Sequence, residues 1–436
     1  MQQPSIRRYG HSRRRIWILL VAPAIGLMLL WSWLQGPYSI FLEQILAANA
    51  RSVNDAEYKN GMSELAVILK TGVTEPLQKV AVHIETTLSD VPFYAVFSDY
   101  QETIAGVPTY DVLRNVSDRV KQHIPDFDLY NRIQQRGRQV LAGPDHGDDS
   151  SGPFGRQNNP GWRLDKWKFL PMISLALDLR PDAKWFVFIE ADSYIVWPSL
   201  VNLLSRLDAR EDLYLGSPMQ IGTTVFAYGG AGFVLSNSAM RKVSKHRTEN
   251  EQRVDDFTAM HWAGDCVLGK VLLDVGVALH SSWPMLQPDT PWELDFVREK
   301  SNRRTWCYPL ISYHHMTADD VREMWRFDRW FNRYDTSARP LLYRDVFRHF
   351  VLPEILSQRG GWDSLAEDAG NHSHFTLDGC ARRCSDDTQC LQYAYHVNGS
   401  CFTSRGVRRG VPRGGVESGW MVDRILEKMR EYELGC

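Results

Sequence analysis

The chain has 436 residues, enough for a short membrane anchor, one catalytic domain and a small appended module. With 44% hydrophobic and 23% charged residues it has the composition of a globular protein rather than a disordered one. A formal net charge of −2 gives no electrostatic reason to expect nucleic acid as a partner. The 15 Trp and 17 Tyr suit sugar rings, but they suit ordinary cores as well.

Residues 1–15 form a basic tail with Arg7, Arg8, Arg13, Arg14 and Arg15, followed at 16–34 by an uncharged apolar run. At 1.5 Å per residue the run spans about 28 Å, just enough for a bilayer core. The excess of arginine before it predicts a single-pass type II anchor, with the tail cytosolic and the rest lumenal. Trp17, Trp31 and Trp33 lie near its ends, where indoles favour the membrane interface. A cleaved signal peptide is the rival reading, but its apolar region is shorter and ends in small residues. The run here ends in Trp-Ser-Trp-Leu-Gln-Gly. Three N-x-S sequons, at Asn115, Asn371 and Asn398, fit a lumenal location.

Residues 35–85 read as a stem, mostly polar, with a short helical pattern from Ser63 to Lys70. The first strong strand is Pro92–Phe97, closed by Ser98-Asp99-Tyr100. Residues 142–161 are rich in Gly, Pro, Asp and Asn and must be a loop. Leu164–Leu179 reads as a helix in which Pro171 is expected to produce a kink. Lys184–Ile189 is the best strand signal in the chain and runs into Glu190-Ala191-Asp192; a helix follows from Pro198. This alternation predicts an α/β domain over 86–355 with a mainly parallel sheet.

Ligands of such sheets bind at the carboxyl ends of the strands, where Glu190 and Asp192 stand. Side chains at i and i+2 of an extended segment share a side, so both carboxylates point toward one place. There they would hold a divalent cation on the phosphates of a nucleotide-sugar, although acidic pairs after strands are also common turn residues. Gly229, Gly230 and Gly232 precede the apolar run Phe233–Ser236, a pattern of close backbone approach or of a tight turn. Asp265 opens a helical pattern, either as a first-turn acid contributing about 1 kcal/mol or as a general base. Leu310–His315 puts imidazoles at the end of an apolar strand, in structural or metal-ligating roles.

The order of five segments carries a resemblance. Trp185-Phe-Val-Phe-Ile-Glu-Ala-Asp-Ser-Tyr-Ile195, Leu213-Tyr-Leu-Gly-Ser-Pro218, Gly229-Gly-Ala-Gly-Phe-Val-Leu-Ser236, Gly264-Asp-Cys-Val-Leu-Gly269 and Ser312-Tyr-His314 resemble the Fringe-related β-1,3-glycosyltransferases of family 31, most of all their fungal branch. The resemblance spans roughly residues 90–320 and implies a GT-A, Rossmann-like fold, a UDP-sugar donor, Mn²⁺, and inverting transfer to a glycan or glycoprotein hydroxyl. By position it implies Asp192 and His314 as metal ligands and Asp265 as catalytic base. Asp99, Lys166, Glu190, Gly229, Gly230 and Gly232 would line the donor or acceptor cleft. The sequence departs from the family's acidic triplet, with Glu190 and Ala191 in its first two places.

Beyond about residue 355 a Gly-Gly break leads to Cys380, Cys384, Cys390 and Cys401, and 422–433 reads as an amphipathic helix. Such dense cysteine spacing fits disulfides better than zinc, because paired C-x-x-C and matching His spacing are missing. The segment 356–436 resembles a short PAN/apple-like module, a class that binds proteins or carbohydrate; a disulfide-stapled cap on the catalytic domain is the other reading. A pairing of Cys266 with Cys307 is one expectation for the cysteines outside the cluster. The chain is thus expected to be a Golgi or ER glycosyltransferase, moving a hexose or N-acetylhexosamine from a UDP-sugar. The alternatives are a lumenal glycan-binding scaffold on the same fold, and a nucleotide-sugar hydrolase.

Overall fold

The run Leu65-Ala-Val-Ile-Leu69 is apolar without alternation, the pattern of a strand buried on both faces, and it ends in a charge at Lys70. In the computed structural model it forms β1 (Leu65–Lys70), wholly buried in the middle of an eight-stranded sheet. The structure describes residues 53–145, 159–300, 303–335, 339–373 and 376–436, all within one compact unit, Ala48–Cys436. The expected anchor at 16–34 lies outside these residues; among the described residues no helix is long and apolar enough to cross a membrane.

After β1 come helix α1 (Leu77–Glu85), then β2 (Tyr94–Ser98), β3 (Thr103–Ile104) and β4 (Val107–Asp111). Helix α2 (Phe169–Leu179) leads into β5 (Trp185–Glu190) and the short β6 (Tyr194–Ile195). Strands β7 (Tyr214–Gly216) and β8 (Phe233–Ser236), helix α3 (Gly264–Asp274), β9 (Leu279–Ser281) and β10 (Ser312–Tyr313) complete the framework. The sheet order is β9-β7-β8-β5-β1-β2-β4-β3. Strands β1, β2, β4 and β5 pair in parallel, β9 is parallel to β7, and β8 and β3 run against their neighbours. The sheet is therefore mixed but mainly parallel, which fits a GT-A-like architecture. Outside it, β10 pairs with β6.

Two expectations are corrected here. The stem does not extend to residue 85, because β1 is the strand between β2 and β5. Its Ala66 and Ile68 pack in one core with Phe97, Phe186, Phe188 and Leu268. The helix expected over 164–179 is two helices, Pro160–Asp165 and α2, separated at Lys166–Lys168. Pro171 does not kink anything. It sits in the first turn of α2, where a backbone N–H has no intrahelical acceptor to lose.

The C-terminal segment forms its own five-stranded sheet, in the order Arg359–Asp363, Val411–Trp420, Gln392–His396, Ser400–Ser404 and Asp368–Ser373. Helix Leu377–Asp386 is stapled to it by Cys380–Cys401, and Cys384–Cys390 closes the turn that follows the helix. Trp362, Trp420, Ile425 and Tyr432 of this segment share one buried cluster with Phe296, Trp306 and Phe347 of the larger domain. The third disulfide joins Cys307 to Cys436 and leaves Cys266 free and buried, which replaces the expected Cys266–Cys307 pair. The physical reason is placement: Cys266 lies in α3 against Phe226 and Ala263, a cluster apart from that of Cys307.

A fragment beginning at Thr86 lacks the strand between β2 and β5 and is expected not to fold. A fragment beginning at Val53 retains it and should melt cooperatively. Circular dichroism melts of the two fragments check this; a folded Thr86 fragment would contradict the placement of β1.

Candidate active site

Strand β5 delivers Glu190 to the carboxyl edge of the sheet, and a tight turn carries the chain on to Asp192. The Ser193 N–H donates to the Glu190 carbonyl (3.0 Å), and its hydroxyl donates to the Gly230 carbonyl (2.7 Å). Ala191, buried between them, is held on both sides. Its N–H donates to the Lys70 carbonyl (3.1 Å), and its carbonyl lies 3.1 Å from Nε2 of His83. Burial pushes His83 down to about 4, so the ring is neutral and Nε2–H is the donor, while Nδ1 accepts from the Thr87 hydroxyl at 2.7 Å.

The two carboxylates converge as the sequence predicts. His314 Nε2 lies 3.1 Å from Asp192 Oδ1 and 3.9 Å from Glu190 Oε2. His315 follows with φ +58°, a left-handed conformation that breaks the strand's alternation and brings its ring to 3.8 Å from that of His314. Asp192, His314 and His315 offer ligand atoms that all lie within 4.8 Å of one another. Two ligands at right angles on bonds of about 2.1 Å would stand about 3 Å apart, close to the Asp192–His314 separation. A carboxylate with two imidazoles is a donor set of the kind borderline divalent ions take. The residues therefore fit a divalent cation. Burial works against charge at this place, yet His314 and Lys79 hold Asp192 well below the usual carboxylate range. Burial likewise opposes charge on His314, and Asp192 and Glu190 raise it. Burial and the neighbouring His314 push His315 down to about 4, leaving it neutral and able to ligate.

The glycine segment touches this cluster directly. A Cβ on Gly230 would lie 2.1 Å from His314 Cε1, so only glycine admits the imidazole there. Gly229 donates its N–H to Asp265 Oδ2 (3.0 Å), and a Cβ on it would meet Glu190 Oε1 at 3.1 Å. Gly232, at φ +79°, turns the chain into β8 and serves the backbone rather than the cleft. Asp265, in the first turn of α3, also accepts from the Cys266 N–H at 2.8 Å. Burial outweighs both hydrogen bonds and pushes Asp265 up to about 6, with Glu190 adding to the rise. Tyr228 sets its ring edge against His314, 5.4 Å between centroids.

A chain of alternating charges runs from Glu190 into the fold. Lys70 Nζ stands 3.1 Å from Glu190 and 2.5 Å from Asp165; Lys168 Nζ stands 3.5 Å from Asp165 and 3.1 Å from Asp99. Asp99 Oδ1 also accepts from the Val73 N–H at 2.7 Å, tying β2 to the loop after β1. Lys166 does not join this group. Its ammonium pairs with Asp126 (2.9 Å) and the Ala259 carbonyl (3.3 Å), and the place expected for it is taken by Lys168. Lys70, Asp165 and Lys168 are not singled out by the sequence, whereas His315 is the second of the two imidazoles expected at the end of the apolar strand Leu310–His315. The signal for Lys70 was present: an apolar run ending in Lys-Thr-Gly has the form of the run ending in Glu-Ala-Asp.

Residues 171–319 match the family described as Fringe-like. The chain carries a Fringe-like domain. Glu190, Asp192, the three glycines, Asp265 and His314 all fall inside the match; Asp99 and Lys166 fall outside it. Human chondroitin sulfate glucuronyltransferase is 26% identical over 160 residues, 35% of this chain and 19% of that protein. The β-1,3-N-acetylglucosaminyltransferase lunatic fringe of Xenopus laevis is 29% identical over 118 residues, and that of Danio rerio 28% over 116. Each lunatic fringe match covers 23% of this chain and 31% of the relative, so the chain spans less than a third of the length of the curated relatives it matches. The family resemblance read from the ordered motifs is thus borne out.

Gly230→Ala is expected to displace His314 and weaken Mn²⁺ binding by about 10–100-fold with the fold retained. Titration calorimetry with Mn²⁺, alongside circular dichroism, checks this. Unchanged affinity would remove His314 from the ligand set.

Proposed function

We propose that the chain is a metal-dependent inverting glycosyltransferase, moving a hexose or N-acetylhexosamine from a UDP-sugar to a hydroxyl of a glycan or glycoprotein. The observation that carries this reading is the pairing of two different carboxylate environments joined through Gly229 and Gly230, the first bound to Asp265 and the second packed on the His314 that meets Asp192. Asp192 is kept ionised by His314 and Lys79, whereas Asp265 is raised to about 6 by burial. The first suits a cation ligand and the second a base poised near neutrality. All three relatives bear names of glycosyltransferases, and this supports the same class of chemistry here.

Asp192, His314 and His315 would hold the cation, with Glu190 beside them; Mn²⁺ fits the mixed oxygen and nitrogen donors. When bound, the ion neutralises charge developing on the leaving diphosphate. Asp265 takes the proton of the acceptor hydroxyl. That oxygen forms a bond to the anomeric carbon as the bond from this carbon to the diphosphate oxygen breaks on the opposite face. The electron pair leaves with UDP, and the anomeric configuration inverts. Lys70 fixes the Glu190 carboxylate and Lys168 fixes Asp99, so these groups do not reorient as charge moves. Asp99, Gly229 and Gly230 would line the donor cleft.

We place the protein in the Golgi or ER membrane, anchored through residues 16–34 with the catalytic unit lumenal. Three disulfides support an oxidising compartment. A second reading, a non-catalytic glycan-binding scaffold, is favoured by Ala191 in the acidic triplet and by Lys79, which stands 3.8 Å from Asp192 Oδ2. The PAN/apple-like segment would be its recognition element.

Asp192→Asn should abolish Mn²⁺-dependent transfer in a chain that still folds, with a lowered melting temperature because Lys79 and His314 lose their counter-charge; full activity in that variant would overturn the site. Asp265→Asn should lower transfer by about 10²–10⁴-fold while sparing UDP binding. Because burial raises Asp265 to about 6, its base form fills as pH rises through that value. The transfer rate should therefore fall about tenfold per pH unit below about 6 and level off above it. A flat profile from pH 5 to 8 would argue against this residue as base.

A further inference from the structure

The motif Trp-x-x-Asp occurs at Trp162-Arg-Leu-Asp165 and again at Trp262-Ala-Gly-Asp265. The structure brings the two copies together. The indoles of Trp162 and Trp262 stack with centroids 6.2 Å apart and planes 20° from parallel, and His261 continues the stack at 6.4 Å and 14°. This is not a core contact. Trp262 is 46% exposed, and Met260 beside it is 82% exposed.

The backbone beneath the pair is tightly fixed. A Cβ on Gly161 would lie 2.2 Å from Thr74 Oγ1, and one on Gly264 would lie 2.6 Å from Lys166 Cα. The first contact sets Trp162 against the loop that follows β1; the second sets its helix against the start of α3. Each indole therefore stands at the carboxyl edge of the sheet, on a segment whose next acid belongs to the site. Asp165 pairs with Lys70, and Asp265 is the proposed base. Three residues of extended chain span at most about 11 Å, so Trp262 lies within the reach of one or two sugar rings from Asp265.

A flat apolar face with a polar N–H suits a pyranose, which presents C–H bonds on one face and hydroxyls around its edge. Among the described residues neither Trp162 nor Trp262 uses its indole N–H on a protein acceptor, so both remain for a ligand. Trp262 is exposed and Trp162 half-buried, and indoles held rigid beside a catalytic cleft cost little side-chain entropy on binding. They would bring a saccharide hydroxyl to the base by orienting the ring that carries it.

We propose that Trp162 and Trp262 form the platform on which the acceptor saccharide stacks, placing its hydroxyl at Asp265. This rests on the transferase reading for the identity of the ligand as acceptor, but the platform itself is a statement about saccharide binding. The pair are positioning and affinity residues, and neither handles the donor.

The test uses the full-length chain and a panel of methyl pyranosides and methyl disaccharides as probes. Binding is followed by tryptophan fluorescence and by saturation-transfer NMR, and turnover by UDP release. Trp262→Ala is expected to raise the dissociation constant and KM for the preferred saccharide about tenfold, with UDP affinity and acceptor-independent UDP release unchanged. Trp262→Phe should restore binding to within about threefold, because the stacking face is kept. Trp162→Ala should act in the same direction. Unchanged saccharide affinity in both alanine variants would overturn the platform, whether or not the chain turns over a donor. Trp262-dependent saccharide binding in a chain that releases no UDP would remove the transferase reading and leave the platform standing.

Discussion

Carboxylates crowd the carboxyl ends of the central strands of this fold, and the site depends on how their charge is compensated. Glu190, Asp192, Asp165 and Asp99 would repel one another in a setting largely closed to water. Lys70 and Lys168 are threaded between three of them, and Lys79 and His314 stand against the fourth. Lys70 is the pivot. Its backbone belongs to β1, in the middle of the sheet, and its ammonium links β5 to the helix ending at Asp165. Burial disfavours its charge, but Asp165 and Glu190 more than reverse this and keep it cationic. Removing one member of such a buried group costs about 3–5 kcal/mol, because the partner is left uncompensated.

That arrangement gives two acids of the site, Asp192 and Asp265, different electrostatic settings. Asp192 has His314 against one oxygen and Lys79 against the other and stays ionised. Asp265 has two backbone N–H donors and, among the described residues, no ion pair, and Lys70 lowers it only weakly, so burial dominates and raises it to about 6. Gly229 and Gly230 let these environments approach each other, since one binds Asp265 and the other supports His314. The substitution of Ala191 into the acidic triplet also makes physical sense. That position is 2% exposed, so a carboxylate there would lose its contact with water and would need a charged or hydrogen-bonding partner of its own.

Sequence reading worked where local pattern and tertiary role agree. The apolar run before Glu190, the glycines before β8 and the acid opening α3 each advertise their place through neighbouring residues. It failed where the role is set by partners distant in sequence. Lys70 and Asp165 are 95 residues apart, and nothing near Lys70 announces an acid. Lys166 and Lys168 both lie in Asp-Lys-Trp-Lys, and only the helix break at 166–168 decides that Lys168 points to Asp99 while Lys166 points to Asp126. A regular strand would send His315 away from His314, and only its left-handed backbone brings the two imidazoles together. The Cys307–Cys436 pair was equally hidden, since a separation of 129 residues leaves no spacing to read.

The central claim is that this compensated cluster exists to hold a cation on the diphosphate of a sugar donor. The most direct measurement is UDP release by the full-length chain from a panel of UDP-sugars, with Mn²⁺ and with a chelator. The account predicts release from one sugar that requires Mn²⁺ and disappears on chelation. Release that persists undiminished in the chelator, or no measurable UDP binding in the presence of Mn²⁺, would contradict it.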